Sequence, residues 1–231
     1  MKKSEKFKNH ELGYWYMLPL YINITGKRIA VFGGGEVAAR KIQQILETSG
    51  GAEVAIEVYS RDFTPQIREF AAEGKLKCFQ CDLWHEDLER YLDGAFMVII
   101  CTNDEPLNER ILNEAARFNV LINYRHEGDV FMGSVINKHG FLISISTEGR
   151  GPAMARYMRE KIEPLIGERE EKMLLIQSRL RSELKATIKD ETHRQAILNQ
   201  VLHDPDCWAA LDAPLTIAEE LILRIIGDRY A

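Results

Sequence analysis

The sequence predicts an α/β protein, with a parallel sheet in the N-terminal half, a strand-containing middle segment and a helical C-terminal region. Three observations carry this reading. Short apolar runs alternate with amphipathic stretches through the first half, a glycine cluster separates the first such pair, and beyond Gly151-Pro152 the apolar spacing is helical throughout.

The elements follow in order. RIAVF from Arg28 is a short run rich in apolar residues, and after the glycines Val37, Lys41, Ile42, Ile45 and Leu46 fall at helical spacing. A second strand is expected over Val54 to Tyr59, a helix over Pro65 to Ala72, a third strand over Leu76 to Phe79 and a strongly apolar fourth over Ala95 to Thr102. Asn103 and Asp104 precede Pro106, and Leu107, Ile111, Leu112 and Ala115 then mark a capped helix, with a further strand over Val120 to Tyr124. DVFMGSVINKHGFLISIST holds two strands split by the polar turn Asn137 to Gly140. Helices are expected in AMARYMREKIEPL, in EREEKMLLIQSRLRSELKATI, up to Leu202, and from Leu215, with a break at His203-Asp204-Pro205-Asp206. Ile166, Met173, Leu174, Ile176, Leu180, Leu184 and Ile188 form an apolar stripe suited to core packing or subunit contact. The chain divides on this reading into residues 1–118, 119–151 and 152–231.

With 231 residues, 45% of them hydrophobic, the chain can bury a substantial core. A net charge of −5 and a pI near 5.8 argue against general nucleic-acid binding, which needs a broad basic surface. No apolar run approaches the ~20 residues of a membrane span, and no apolar h-region follows MKKSEKFKNHELGYWY, so a cytoplasmic protein is expected. Four cysteines are too sparse for a disulfide scaffold. Cys78 and Cys81 form a CxxC, but on a strand residues three apart point to opposite faces, so they read as packing residues and no metal site is expected.

The chemistry begins at the glycines. Gly33-Gly34-Gly35-Glu36-Val37-Ala38 fits GxGxxA directly after a strand and at the opening of a helix, the setting of a Rossmann dinucleotide turn. Gly33 permits the turn, Gly35 lets backbone approach a pyrophosphate, and Ala38 lets the helix close on the strand. The end of the second strand gives a mixed signal for the cofactor. Asp62 or Glu57 suits a ribose hydroxyl, whereas Arg61 suits a 2′-phosphate. Thr102 and Asn103 end the apolar strand where such sheets place ligands; they can touch the nicotinamide ribose, cap the next helix, or both.

A second strand, turn and helix lies in ISISTEGRGPAMARYMREKIE. Pro152 suits a first helical position, and free turn N–H groups with Arg150 and Arg156 would favour a carboxylate or phosphate.

Taken together, MLPLYINITGKRIAVFGGGEVAARKI, GAFMVIICTNDEPLNERI and ISISTEGRGPAMARYMREKIE resemble the siroheme synthase N-terminal family of precorrin-2 dehydrogenases and sirohydrochlorin ferrochelatases, over roughly residues 17 to 163. The resemblance implies oxidation of precorrin-2 to sirohydrochlorin with NAD, in a homodimer whose subunit contact uses the central strands and helical C-terminus. It implies NAD contacts at Glu36, Val37, Arg61 and Asp62, and a substrate-lining turn containing Ser146, Thr147, Gly149 and Pro152. A polycarboxylated tetrapyrrole calls for cations, and Arg125, Arg150 and Arg156 lie in the segments assigned to its cleft. Hydride transfer to NAD releases a proton, for which His126 or Asp129 is the candidate base. His126 stands where many bifunctional relatives carry an aspartate, and the adjoining loop is shorter. The sequence is thus closer to the dehydrogenase-only members. Two rival readings are a bifunctional enzyme that also inserts Fe²⁺, with His126 or His139 serving it, and a nucleotide-sensing module without turnover.

Overall fold

The computed structural model describes residues 17–125 and 127–229. Five strands, β1 (Arg28–Phe32), β2 (Ala55–Ser60), β3 (Lys77–Gln80), β4 (Met97–Ile100) and β5 (Leu121–Asn123), form a parallel sheet in the order β3-β2-β1-β4-β5. Their apolar runs are explained by burial on both faces. Ile29 and Val31 of β1 with Ile99 of β4 enter one core cluster, whereas Ala30, Phe32, Val98 and Ile100 enter another.

Each face needs its own cover. On the first, α1 (Glu36–Ser49) contributes Ala38, Ala39, Ile42 and Ile45, and α2 (Pro65–Ala72) contributes Ile67. On the second, α3 (Glu89–Leu92) contributes Tyr91 and Leu92, and α4 (Glu105–Ala115) contributes Leu107, Ile111, Leu112 and Ala115. Fully burying an aliphatic side chain of this kind stabilises by about 1.5–3 kcal/mol, so the two faces supply most of the driving force. Cys78 packs against the first cluster and Cys81 against the second, which separates the two sulfurs across the sheet.

Two expectations shift. The buried stripe of α1 starts at Ala38, while Val37 is exposed, because small residues are what let this helix close on β1. The boundary at residue 118 also cuts the sheet short, since β5 pairs with β4 from Met97↔Leu121 onward.

After the sheet, β6 (Ser134–Lys138) and β7 (Phe141–Ile145) pair around a turn whose residues His139 and Gly140 have positive φ. By contacts the chain forms two compact units. One comprises the described residues through Val135 with Ser144–Ala155, and the other Ile136–Ile143 with the residues from Arg156 onward. Segment 119–151 is therefore shared between them rather than standing apart.

Helix α5 (Pro152–Ile162) and a short 3-10 turn, Glu163–Leu165, precede α6 (Glu168–Thr187), α7 (Glu191–His203), α8 (Pro205–Ala210) and α9 (Leu215–Arg229). Met173, Ile176, Leu180 and Leu184 of α6 face Ile197 and Val201 of α7 and Ile222 of α9 in one core. Leu174 departs from the expected stripe and is 39% exposed. The break at His203 to Asp206 holds a short helix: Asp204 ends α7 and also caps α8, accepting the Asp206 N–H at 2.8 Å. Its other carboxylate oxygen accepts Arg229 Nη1 at 2.9 Å. Among the described residues, no helix is long and apolar enough to cross a membrane.

Candidate functional site

The glycine turn lies at the carboxyl edge of the sheet. Gly33 has φ 114°, and a Cβ there would lie 2.6 Å from the Cys101 carbonyl oxygen. A Cβ on Gly34 would come within 2.1 Å of the Asp62 carbonyl oxygen, and the Gly34 carbonyl accepts the Thr64 N–H at 2.9 Å. These two glycines are required by the protein's own backbone. Gly35 differs: a Cβ there meets nothing within 4 Å. It is the N-cap of α1, without a side-chain hydrogen bond to cap the helix, and Gly35, Glu36 and Val37 are all exposed. Uncapped N–H groups at the positive end of a helix, facing free space, suit an anion the size of a diphosphate.

Within β2, Glu57 is occupied. Its Oε2 accepts Arg28 Nη1 at 2.8 Å and the Tyr59 hydroxyl at 2.6 Å. Burial pulls its pKa up, but the bonds from Tyr59 and Arg28 outweigh this and leave it below the usual carboxylate value. Of the three cofactor cues in and after this strand, Glu57 is thus the one held from two sides. Asp62 is exposed beside the turn, and Arg61 Nη2 donates to Asp82 Oδ1 at 2.7 Å.

The end of β4 is braced from α4. Asn108 is buried; its Oδ1 accepts the Thr102 hydroxyl at 2.6 Å and the Thr102 N–H at 3.2 Å, and its Nδ2 donates to the Thr102 carbonyl at 3.1 Å. Asp104 caps α4 by accepting the Leu107 N–H, and the Thr102 hydroxyl in turn accepts the Asp104 N–H. The capping therefore falls to Asp104, not to Thr102 or Asn103, and Asn103 is left exposed at the strand's end. Burial pushes the Cys101 thiol up to about 11, which makes it a packing residue rather than a nucleophile.

At the end of β5, Lys41 of α1 reaches across to donate to Asn123 Oδ1 at 2.6 Å, and Asn123 Nδ2 donates to the Val130 carbonyl at 2.7 Å. Burial lowers the Lys41 pKa. Asp129 is exposed, and its Oδ2 accepts the Ile122 N–H at 3.2 Å, which braces the loop. Gly128 is obligatory, because a Cβ would lie 2.4 Å from the Ile122 carbonyl oxygen. Arg125 has φ 35° and pairs with Glu105 at 2.6 Å, and Glu105 also accepts the Tyr124 hydroxyl at 2.5 Å. His126 lies outside the described residues.

The turn after β7 satisfies its own donors. Ser146 Oγ accepts the Glu148 N–H at 3.0 Å, the Thr147 carbonyl accepts the Arg150 N–H at 3.0 Å, and Thr147 Oγ1 accepts the Gly151 N–H at 3.1 Å. Arg150 Nη2 pairs with Glu148 at 2.8 Å. Glu148 and Gly149 both have positive φ, and Pro152 opens α5 as expected. The N–H groups expected to be free here are thus partly used within the turn. Arg156 lies one turn further along α5 and belongs by contacts to the helical unit.

The structure thus brings Gly33, Gly34, Gly35, Glu36, Val37, Asp62, Thr102 and Asn103 to one edge of the sheet. The sequence reading gave no role to Asn108, Asn123 or Asp82, and counted Lys41 only as a helical position. The available signal was a polar residue set among apolar core positions, as Lys41 is beside Ile42 and Asn108 beside Leu107. Among the described residues no group of three or more His, Cys, Asp or Glu side chains could hold a metal ion.

An uncapped glycine turn at the carboxyl edge of a doubly covered parallel sheet defines a dinucleotide-binding α/β domain. Comparison with known proteins agrees: the family described as "Putative NAD(P)-binding" matches residues 20–134. A precorrin-2 dehydrogenase of Methanosarcina barkeri is 33% identical over 215 residues, covering 91% of this chain and 94% of the relative. A siroheme synthase of Photorhabdus laumondii is 29% identical over 189 residues, and this chain spans only 38% of that longer protein. The solved structure titled "SirC, precorrin-2 dehydrogenase" shares the fold, with a TM-score of 0.68 and 19% identity over 91% of this chain and all of that one. The chain belongs to the precorrin-2 dehydrogenase and siroheme synthase N-terminal family.

Proposed function

We propose that this protein is a dehydrogenase that oxidises precorrin-2 to sirohydrochlorin with NAD, on the route to siroheme or a related tetrapyrrole, and that it works as a cytoplasmic homodimer. The observation that carries the reading is the open, uncapped turn at Gly35 in a chain that matches a precorrin-2 dehydrogenase along almost its whole length. Half-exposed Met154 and Tyr157 supply apolar surface for a subunit contact.

The residues divide the work by position. Gly33 and Gly34 shape the turn, the N–H groups of Gly35, Glu36 and Val37 hold the diphosphate, and Ala38 keeps α1 close to β1. Asp62 takes the ribose hydroxyls at one end, and Thr102 and Asn103, braced by Asn108, flank the other. A bound nicotinamide supplies the hydride acceptor. Arg125 and Arg150 meet substrate carboxylates, and Ser146, Thr147, Gly149 and Pro152 form the turn that carries Arg150. The proton released as hydride departs passes to Asp129, which is exposed and fixed through the Ile122 N–H, or to His126 in the same loop.

The test supplies precorrin-2, made without oxygen, together with NAD. Growth of the sirohydrochlorin spectrum with wild type, and its loss in Gly35→Asp, is the expected result. No NAD-dependent change with wild type would end the proposal, and Asp129→Ala compared with His126→Ala assigns the proton acceptor.

A further inference from the structure

Arg61 follows β2 directly and stands beside Asp62, whose carbonyl packs on Gly34. In a dinucleotide site of this kind the end of β2 meets the adenosine ribose, and an arginine there is the ordinary partner of a 2′-phosphate. Here the guanidinium is already engaged, by Asp82 at 2.7 Å, while the Arg61 carbonyl accepts Gln80 Nε2 at 3.0 Å.

Asp82 is itself held in place. Its Oδ1 also accepts the Trp84 N–H at 3.1 Å, and its Oδ2 lies 2.9 Å from His85 Nδ1. The segment around it is pinned to the far side of the sheet edge: the Trp84 indole N–H donates to Asp104 Oδ2 at 2.7 Å, and Arg110 of α4 donates to the carbonyls of Leu83 and Glu86 at 2.6 and 3.0 Å. A carboxylate fixed by so many neighbours has a defined position from which to hold a flexible arginine.

We propose that Asp82 sets the choice of cofactor. By holding the Arg61 guanidinium it withdraws the cation that would receive a 2′-phosphate and leaves Asp62 to accept ribose hydroxyls, so the site takes the dinucleotide without that phosphate. The proposal deepens the nicotinamide reading above and rests on it. The pair is solvent-exposed, with side chains 64% and 37% accessible, so it is weak and the discrimination it confers is moderate. Asp62 adds repulsion of its own and remains when Asp82 is changed.

Calorimetric titration of the full chain with NAD and with NADP tests this, using wild type, Asp82→Glu, Asp82→Ala and Asp82→Ala combined with Arg61→Ala. Asp82→Ala is expected to bind NADP about tenfold more tightly than wild type, while NAD affinity changes less than about twofold. Asp82→Glu should keep the wild-type preference, and the double variant should lose the gain. The KM for each cofactor in precorrin-2 oxidation should move in parallel. Unchanged NADP affinity in Asp82→Ala, a gain that survives loss of Arg61, or equal weakening toward both cofactors would each overturn the role of Asp82. Wild type that binds neither cofactor would instead overturn the nicotinamide site, and this proposal with it.

Discussion

Two turns in this chain share a recipe, a strand followed by a glycine-containing loop and a helix, yet they reach opposite states. After β1 the turn leaves its helix uncapped, and Gly35 looks into free space. After β7 the turn closes on itself: Ser146 and Thr147 take up the N–H groups of Glu148, Arg150 and Gly151, and Arg150 folds back on Glu148. The difference lies in the side chains. Three glycines offer no side-chain oxygen to cap with, whereas Ser146 and Thr147 supply acceptors within two to four residues of the donors. The same strand-turn-helix pattern thus leaves helix N–H groups uncapped in one place and satisfies its own donors in the other.

Substitutions can break or sharpen this contrast. The largest effect is expected from Gly35→Asp, which places a carboxylate where the diphosphate would sit. NAD affinity should fall at least about 100-fold by calorimetry, with the melting temperature nearly unchanged because the new Cβ meets open space. One residue earlier the pattern reverses. Gly34→Ala drives a Cβ against the Asp62 carbonyl oxygen, so urea unfolding should show a loss of about 1–3 kcal/mol. In the second turn, Thr147→Ala removes the acceptor of the Gly151 N–H and should cost about 0.5–1.5 kcal/mol in the same assay, leaving NAD affinity as it was.

The smallest expected effect concerns pH. Hydrogen bonding from Arg61 holds the Asp82 carboxyl down at about 2, below its ordinary 3.8. The sign follows for a depressed acid: its pairing is fully present above 3.8 and is lost only as pH falls through about 2. NAD-over-NADP preference should therefore be the same at pH 7.5 and pH 9, both above the ~6 at which a 2′-phosphate takes its second charge, by calorimetry, and a reversal across that range would separate cofactor choice from Asp82.

How much could be read beforehand depended on whether a feature was local. The five sheet strands and the helices of eight or more residues announce themselves through short apolar runs or helical spacing, and Pro65, Asp104 and Pro152 mark helix starts by their own chemistry. The glycine turn was legible because its residues are consecutive. Lys41 with Asn123 is 82 positions apart, Arg61 with Asp82 is 21, and such pairings become visible only when the sheet order brings strand ends together. Glu57 shows the converse: its spacing from the glycines suited a ribose acceptor, but Arg28 on the neighbouring strand claims it. The short α8 was missed because six residues give too little periodicity to recognise.

Asp204 gives the helical unit an unusual dependence on distant chain. Its side chain is only 3% exposed, and the Arg229 guanidinium that answers it arrives from 25 residues further on, in the last turn of α9. Trimming the protein back past Arg229 would take a cation away from an enclosed negative charge at the elbow between α7 and α8, so damage done at the tail would be felt as loosening at a corner remote from the cut.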